Sequence, residues 1–300
     1  MDKLLISVSL RRLKVFLAVC ETLHMAKAAE RLGVAQPALS QQILSLERAL
    51  GVRLFNRRKR GIDLTSAGQA CRVEAEKLLS LHAGAIDTVQ RTARGEMGRV
   101  NLGYVGSAML GRRRIPAQLK AMHEAFPDVE LSLVQSSPLE MLAAVREGEL
   151  DAAVVCAPVS IEAPLVYRVH SCQELVVALP PEHLLARLEK IPISLLAHET
   201  MIGIAAPADI GIMPALTELA SKAGVKLQIK WQVSEFVSVL GLVAAGLGCG
   251  IVPQELALIA GPEIVFRPLE ESGAHAEYWL VWHEERTTPA LNRLIEMLLK

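Results

Sequence analysis

Apolar residues recur at helical spacing through the first fifty positions. Leu13, Phe16, Leu17 and Cys20 share one face of a predicted first helix. A second helix, about 25–32, turns Ala28, Ala29 and Leu32 inward, and its paired alanines let a neighbouring helix approach closely. Gly33 stops it. A third helix, about 36–50, places Leu39, Ile43, Leu46 and Leu50 inward, and Gly51 ends it. Positions 52–56 and 62–64 then read as two short strands around a basic turn at 57–61. Thr65-Ser66 opens a longer helix, where Ser66-x-x-Gln69 matches a capping box. That helix runs to Gly95 with Ala75, Leu79, His82, Ile86, Val89 and Ala93 alternating by four and three residues, the seam of a coiled coil.

After Gly95 the pattern becomes strands alternating with helices. Strands are predicted at 99–105, 129–134 and 152–156, with helices at 115–125 and 138–147 between them. A second set has strands near 175–179, 201–204, 227–231 and 248–252, with helices at 214–223 and 234–245. A strand at about 278–282 and a helix at 289–299 close the chain. This alternation predicts parallel sheets with right-handed crossovers, arranged as two α/β lobes with a cleft between them. The stretch from Phe236 to Gln254 carries no charge, but Gly241, Gly246, Gly248, Gly250 and Pro253 interrupt it and basic flanks are missing. It reads as a helix, a stop at Gly246 and a buried strand rather than a membrane span.

Charge sharpens this division. The 300 residues carry 32 Lys and Arg against 32 Asp and Glu, which argues against a histone-like polycation. Residues 1–99 hold 17 basic and 9 acidic groups, however, a net of +8, and the remainder holds a net of −8. Such asymmetry points to nucleic acid or membrane contact by the basic part. With 51% apolar residues the chain is neither disordered nor collagen-like, and 4% aromatics argue against a base-stacking surface for single strands. Cys20, Cys71, Cys156, Cys172 and Cys249 are scattered, with no metal spacing, and read as small core residues in a reducing compartment. The N-terminus has too short an apolar stretch for a signal peptide, so the expected location is cytoplasmic.

Two helices around the turn at Gly33-Val34 form a helix-turn-helix, whose second helix lies in the DNA major groove with its N-terminal residues at the base edges. The outward positions there are Gln36, Pro37, Ser40, Gln41 and Gln42. Gln can bond adenine at two points, Ser can donate or accept, and Pro37 can touch a thymine methyl. Phosphate contacts are expected from Arg57, Arg58 and Arg60 in the basic turn, from Lys27, and from Arg11 and Arg12. Thr65, just beyond the turn, completes this set of candidates. A basic helical domain that binds protein is the alternative, and Gln41 and Gln42 also suit a solvated helix face.

Ala28-Ala29-x-x-Leu32, Ala35-Gln36-Pro37-Ala38-Leu39-Ser40-x-Gln42-Ile43, Leu46-Glu47, Leu50-Gly51, Leu54-Phe55-x-Arg57 and Leu64-Thr65-x-Ala67-Gly68 together resemble the LysR-type transcriptional regulators. Leu242-Val243-Ala244-Ala245-Gly246-x-Gly248-x-Gly250-Ile251-Val252-Pro253 resembles the effector domain of the same family. His24-Met25-Ala26 and Gln41 depart from its commoner Ser-Phe-Thr and Arg. The resemblance implies an α+β chain in three parts. A winged helix-turn-helix occupies 1–65 and a linker and dimerisation helix 66–95. A two-lobed α/β effector domain like the solute-binding proteins occupies 96–300, with lobe I at about 96–170 and 276–300 and lobe II at about 171–275. It further implies a homo-oligomer, as a dimer of dimers, that binds and bends double-stranded promoter DNA, answers a small organic acid and meets RNA polymerase at the promoter, with no cofactor or metal.

Ligands of open α/β sheets bind at the carboxyl ends of strands. Ser107 follows the first such strand, and by resemblance to the aromatic-catabolism branch it holds an inducer carboxylate. Ser136 and Ser137 follow the second strand, and Pro207 and Phe236 fall on the opposing wall by the same resemblance. Each serine also suits an ordinary cap or turn. Arg112-Arg113-Arg114 could draw an acid inward or form a solvated face. The alternative function is a cytoplasmic small-molecule-binding protein or enzyme on a two-lobed fold. No G-x-S-x-G surrounds Ser107, however, and no His has a partner suggesting a triad.

Overall fold

The computed structural model describes residues 8–57, 61–110, 114–271 and 273–300, Arg57 by its backbone alone. The chain forms two compact units, the first ending at Gln90 and the second beginning at Arg91.

The first unit opens with α1 (Leu10–Thr22), α2 (Met25–Arg31) and α3 (Gln36–Leu50). Ser9 caps α1 by accepting from the Arg12 amide, whereas His24 gives α2 no side-chain cap. Phe16, Ala28, Leu39 and Leu46 are fully buried at the centre of the three helices, and Ala29 and Ile43 nearly so. Leu32, expected inward, is 37% exposed, because α2 ends at Arg31 and Leu32 lies past its last inward turn. Two short strands, β1 (Phe55–Arg57) and β2 (Ile62–Leu64), pair antiparallel as a wing. The Glu47 carboxylate fixes its base by accepting from the amides of Leu54 (2.7 Å) and Phe55 (3.2 Å). The Phe55 ring also lies 5.3 Å from that of Phe16.

Helix α4 (Ser66–Ala93) follows at once. Its cap is Thr65 rather than the expected Ser66: the Thr65 hydroxyl accepts from the Gly68 amide at 2.9 Å and donates to the Arg53 carbonyl at 2.8 Å. Gly68 is required here, since a Cβ would sit 2.1 Å from the Leu54 carbonyl oxygen. Of the expected seam, Ala75 is buried and Leu79 and His82 half-buried, but Ile86, Val89 and Ala93 are exposed. The second half of the expected seam is therefore open in a single chain.

The second unit is built on one nine-stranded sheet among the described residues. In one lobe β3 (Met97–Tyr104) lies parallel between β4 (Asp128–Gln135) and β5 (Ala152–Ala157). Strand β5 is buried throughout, as an apolar central strand should be. In the other lobe β7 (Met201–Ile204) lies parallel to β8 (Ile229–Val233) and β9 (Cys249–Pro253). The two sets are joined by β6 (Leu165–Leu179), longer at its start than the sequence pattern indicated. Its first part pairs antiparallel with β11 (His275–His283), which also pairs with β5; its last part pairs with β9 and β10 (Val265–Pro268). The sheet is therefore mixed, and the parallel expectation fits only the strands on either side of β6 and β11.

Helices α5 (Arg114–Ala125), α6 (Pro138–Glu147), the short α7 (Ile193–Leu196), α8 (Met213–Lys222), α9 (Phe236–Ala244) and α10 (Pro289–Leu298) complete the unit. The uncharged stretch resolves into α9, a left-handed Gly246 (φ 75°) and β9. No helix of the described residues is long and apolar enough to cross a membrane. Cys20, Cys156 and Cys249 are core residues as expected, Cys71 is half-buried, and Cys172 is exposed on β6, against expectation.

His170 on β6 is 4% exposed and tied to two helices. Its Nε2 donates to Gln118 Oε1 at 3.2 Å, since a carbonyl oxygen can only accept, and Nδ1 then accepts from Ser171 Oγ at 3.0 Å. Gln118 in turn donates to the Met297 carbonyl on α10. Burial, helped by nearby Arg114, lowers the His170 pKa from 6.5 to about 4. The unfolded chain therefore binds a proton near pH 6.5 that the folded chain refuses until about pH 4. Stability present above pH 6.5 should be lost as pH falls through that window, by at most about 1.4 kcal/mol per pH unit. Denaturant unfolding at several pH values should show a shallower acid loss in His170→Asn; identical slopes would remove His170 from the account.

Candidate functional site

In the first unit the turn between α2 and α3 is set by Gly33 (φ 65°), and Pro37 in the first turn of α3 has no amide to leave unbonded. Because Leu39, Ile43 and Leu46 face the core, the start of α3 turns Gln36, Pro37 and Gln41 to solvent, with Ser40 and Gln42 half-buried. None of the Gln36, Ser40, Gln41 or Gln42 side chains is spent on a hydrogen bond to a described residue, and exposed Lys27 on α2 is likewise unpaired. The Ala35 cap has no side-chain bond, so the positive end of α3 is left open. Together these present polar donors and acceptors on one exposed helix end, with an exposed cation on the preceding helix.

Thr65 differs from the other candidates, because its hydroxyl is used as the α4 cap and as a strap to Arg53. The side chain of Arg57, and Arg58 and Arg60, lie outside the described residues.

In the second unit a cavity of about 540 Å³ opens between the lobes. Four of the segments lining it follow the carboxyl end of a strand: Gly106 and Ser107 after β3, Ser136 and Ser137 after β4, Ala205 to Pro207 after β7, and Ser234 to Phe236 after β8. Ser107, Ser136, Ser137, Pro207 and Phe236 thus share one cavity. Leu110, Ile204, Ile212 and Leu256 supply apolar wall.

The serines are not equivalent. Ser107 is 7% exposed, in a short 3-10 turn (Gly106–Met109), and its hydroxyl bonds that of Tyr278, which is fully buried and also donates to Gln173 Oε1 at 3.4 Å. Ser136 and Ser137 both donate to Glu140 Oε2, Ser137 at 2.8 Å, while Ser137 Oγ accepts from the Glu140 amide to complete a capping box at the start of α6. The Ser136 bond, then those of Ser137, hold the Glu140 carboxyl below its ordinary range. These hydroxyls point their protons at a protein carboxylate, so they do not stand free for a ligand carboxylate.

Two cavity groups went unread in the sequence. Glu235, the residue before α9, accepts from Gln135 Nε2 at the end of β4 across the cleft at 2.6 Å. Nothing local links residues a hundred positions apart. Glu140 was legible as the fourth residue of Ser137-x-x-Glu140. The described cavity wall holds these two carboxylates and no Lys, Arg or His. Arg112 and Arg113 lie outside the described residues, and Arg114 does not line the cavity. Cys156 also faces it, but burial pushes its thiol up to about 12, which leaves little thiolate for redox chemistry.

The model of the LysR substrate binding domain matches residues 93–300, and that of the bacterial regulatory helix-turn-helix protein, lysR family, matches residues 10–69. The chain belongs to the LysR family of DNA-binding transcription regulators. The LysR-type relatives include the uncharacterized HTH-type transcriptional regulator YnfL of Escherichia coli K12, 32% identical over 297 residues, covering 97% of this chain and 98% of that protein. AlsR of Bacillus subtilis is 32% identical over 288 residues, covering 96% and 94%. The crystal structure of CbnR, a LysR family transcriptional regulator, superposes with a TM-score of 0.88 at 26% identity, covering 97% of this chain and all of CbnR. CbnR in complex with its target DNA gives 0.84, covering 97% and 98%. For this LysR-type chain, an N-terminal helix-turn-helix followed by a two-lobed effector-binding domain is thus shown.

If Ser137 acts as the cap seen here, Ser137→Ala should lower the stability of the second unit by about 1 kcal/mol without any ligand present. Thermal unfolding checks this, and an unchanged midpoint would free Ser137 for a role in binding.

Proposed function

We propose that this regulator recognises promoter DNA through the start of α3 and that a small organic molecule in the interlobe cavity alters that recognition. The observation that supports the first part most strongly is the set of unspent polar side chains, Gln36, Ser40, Gln41 and Gln42, on a helix end whose opposite face is locked into the core. Base edges are read by Gln36, Pro37, Ser40, Gln41 and Gln42, and phosphates are held by Lys27, Arg57, Arg58 and Arg60. Thr65 acts indirectly, by fixing the wing against α4. The winged domain spans 1–65, the linker helix 66–95 and the effector domain 96–300.

The open seam of α4 supports self-association. Ile86 and Val89, at 46% and 70% exposure, are sites that a second copy would cover. A homo-oligomer, as a dimer of dimers, would set two reading helices at a fixed spacing and allow the DNA to be bent. The protein acts in the cytoplasm with the promoter, where RNA polymerase is a further partner, and it works by binding rather than by turnover.

Ser107, Ser136, Ser137, Pro207 and Phe236 line the effector site. The resemblance implies an organic acid, of the aromatic-catabolism kind, as the effector. For such an acid the described wall offers no Lys, Arg or His, and Ser136 and Ser137 are engaged by Glu140.

Gel retardation of the protein's own promoter region tests the DNA roles. Gln36→Ala should cost about 1–3 kcal/mol on the true site and relax base preference there, while Lys27→Ala should weaken all sequences alike and reduce the salt slope by about one. Equal effects from the two replacements would contradict the assigned roles.

A further inference from the structure

Among the described residues the cavity wall is charged in one sense only. Glu140 comes from the lobe of β3, β4 and β5, and Glu235 from the lobe of β7, β8 and β9, so the two carboxylates approach from facing walls. Consecutive residues at the end of β4 hold them: Gln135 bonds Glu235, and Ser136 bonds Glu140. Each bond engages a single carboxylate oxygen, Oε1 of Glu235 and Oε2 of Glu140, and the other oxygen has no partner among the hydrogen bonds described. Both carboxylates are exposed at the wall, and closing the lobes would bring these like charges nearer and raise their mutual repulsion. A ligand carboxylate would add a third negative charge to that space. The apolar wall of Leu110, Ile204, Ile212 and Phe236 suits a hydrocarbon body rather than a multiply charged one.

Resting on the reading of this cavity as the effector site, we propose that its ligand is a small organic cation, a primary amine or guanidine on an apolar body, whose charge sits between Glu140 and Glu235. Such a ligand couples binding to shape. It relieves the repulsion only when the lobes approach, so it prefers the closed arrangement by the amount of repulsion it removes. Gln135 is the group that the cation replaces on Glu235, and the uncharged amide holds the cleft when no ligand is bound. Buried Ser107 adds a polar group to the wall beside the ligand body.

The test uses the full-length protein and matched probes that share a carbon skeleton: benzylamine, benzyl alcohol and benzoate, with butylamine, butanol and butyrate as the aliphatic set. Thermal unfolding should rise with the amines and stay unchanged with the carboxylates. Titration calorimetry should show amine affinity falling at least about tenfold in Glu235→Gln, with alcohol binding unchanged. Glu140→Gln, which keeps a capping-box side chain, provides a second variant with the same expected loss. Carboxylates that stabilise more than amines, or amine binding indifferent to both substitutions, would overturn the cationic assignment while leaving the cavity as the effector site. A flat response across all three classes would overturn the cavity reading itself, and the cationic assignment with it.

Discussion

Strand β6 belongs to two lobes at once, and the effector-binding unit depends on that sharing. Its first part is held by β11 and its last part by β9 and β10, so neither lobe has a complete sheet without a strand that continues into the other. The lobes are consequently joined by ladder hydrogen bonds rather than by a loose linker. Because the parallel strands on both sides end toward the same gap, the loops after β3, β4, β7 and β8 have no destination except its walls. The cavity follows from topology before any particular side chain is chosen.

Electrostatics then divides the labour. The +8 of the first 99 residues lies with the helix-turn-helix and the long helix that follows it, where phosphate must be approached. The −8 of the remainder keeps the lobes from competing for DNA. Part of that negative charge faces the cavity as Glu140 and Glu235, where it selects what enters. One imbalance in composition thus acts twice, once by steering a domain to DNA and once by filtering ligands.

Much of this was legible in the sequence. Helices α1 to α3 announced themselves by their apolar steps, and Gly33, Gly51 and Gly246 marked turns because each adopts a left-handed backbone. The first part of β6 was missed because Val166 to Val169 shows no in-out alternation, with Tyr167, Arg168 and Val169 all exposed. The cap of α4 was placed one residue late, since Thr65 and Ser66 have the same chemistry and only the tertiary strap to Arg53 distinguishes them. The cavity serines were found by their place after strands, but their occupation was not. Ser136 and Ser137 are satisfied by a glutamate three or four residues away, and Glu235 meets Gln135 only in the folded lobes. Local signals gave positions; the charge of the site emerged only from contacts distant in sequence.

The central claim is that occupancy of the cavity and binding of DNA are two faces of one equilibrium. Linkage makes this directly measurable, because the factor by which ligand changes DNA affinity must equal the factor by which DNA changes ligand affinity. Both should be determined on the same full-length protein, by anisotropy of labelled promoter DNA with and without saturating amine, and by calorimetric titration of the amine with and without promoter DNA. The account predicts one shared factor, in the range of about 5- to 150-fold. Ligand affinity that is unchanged by DNA, for a molecule shown to occupy the cavity, would contradict it.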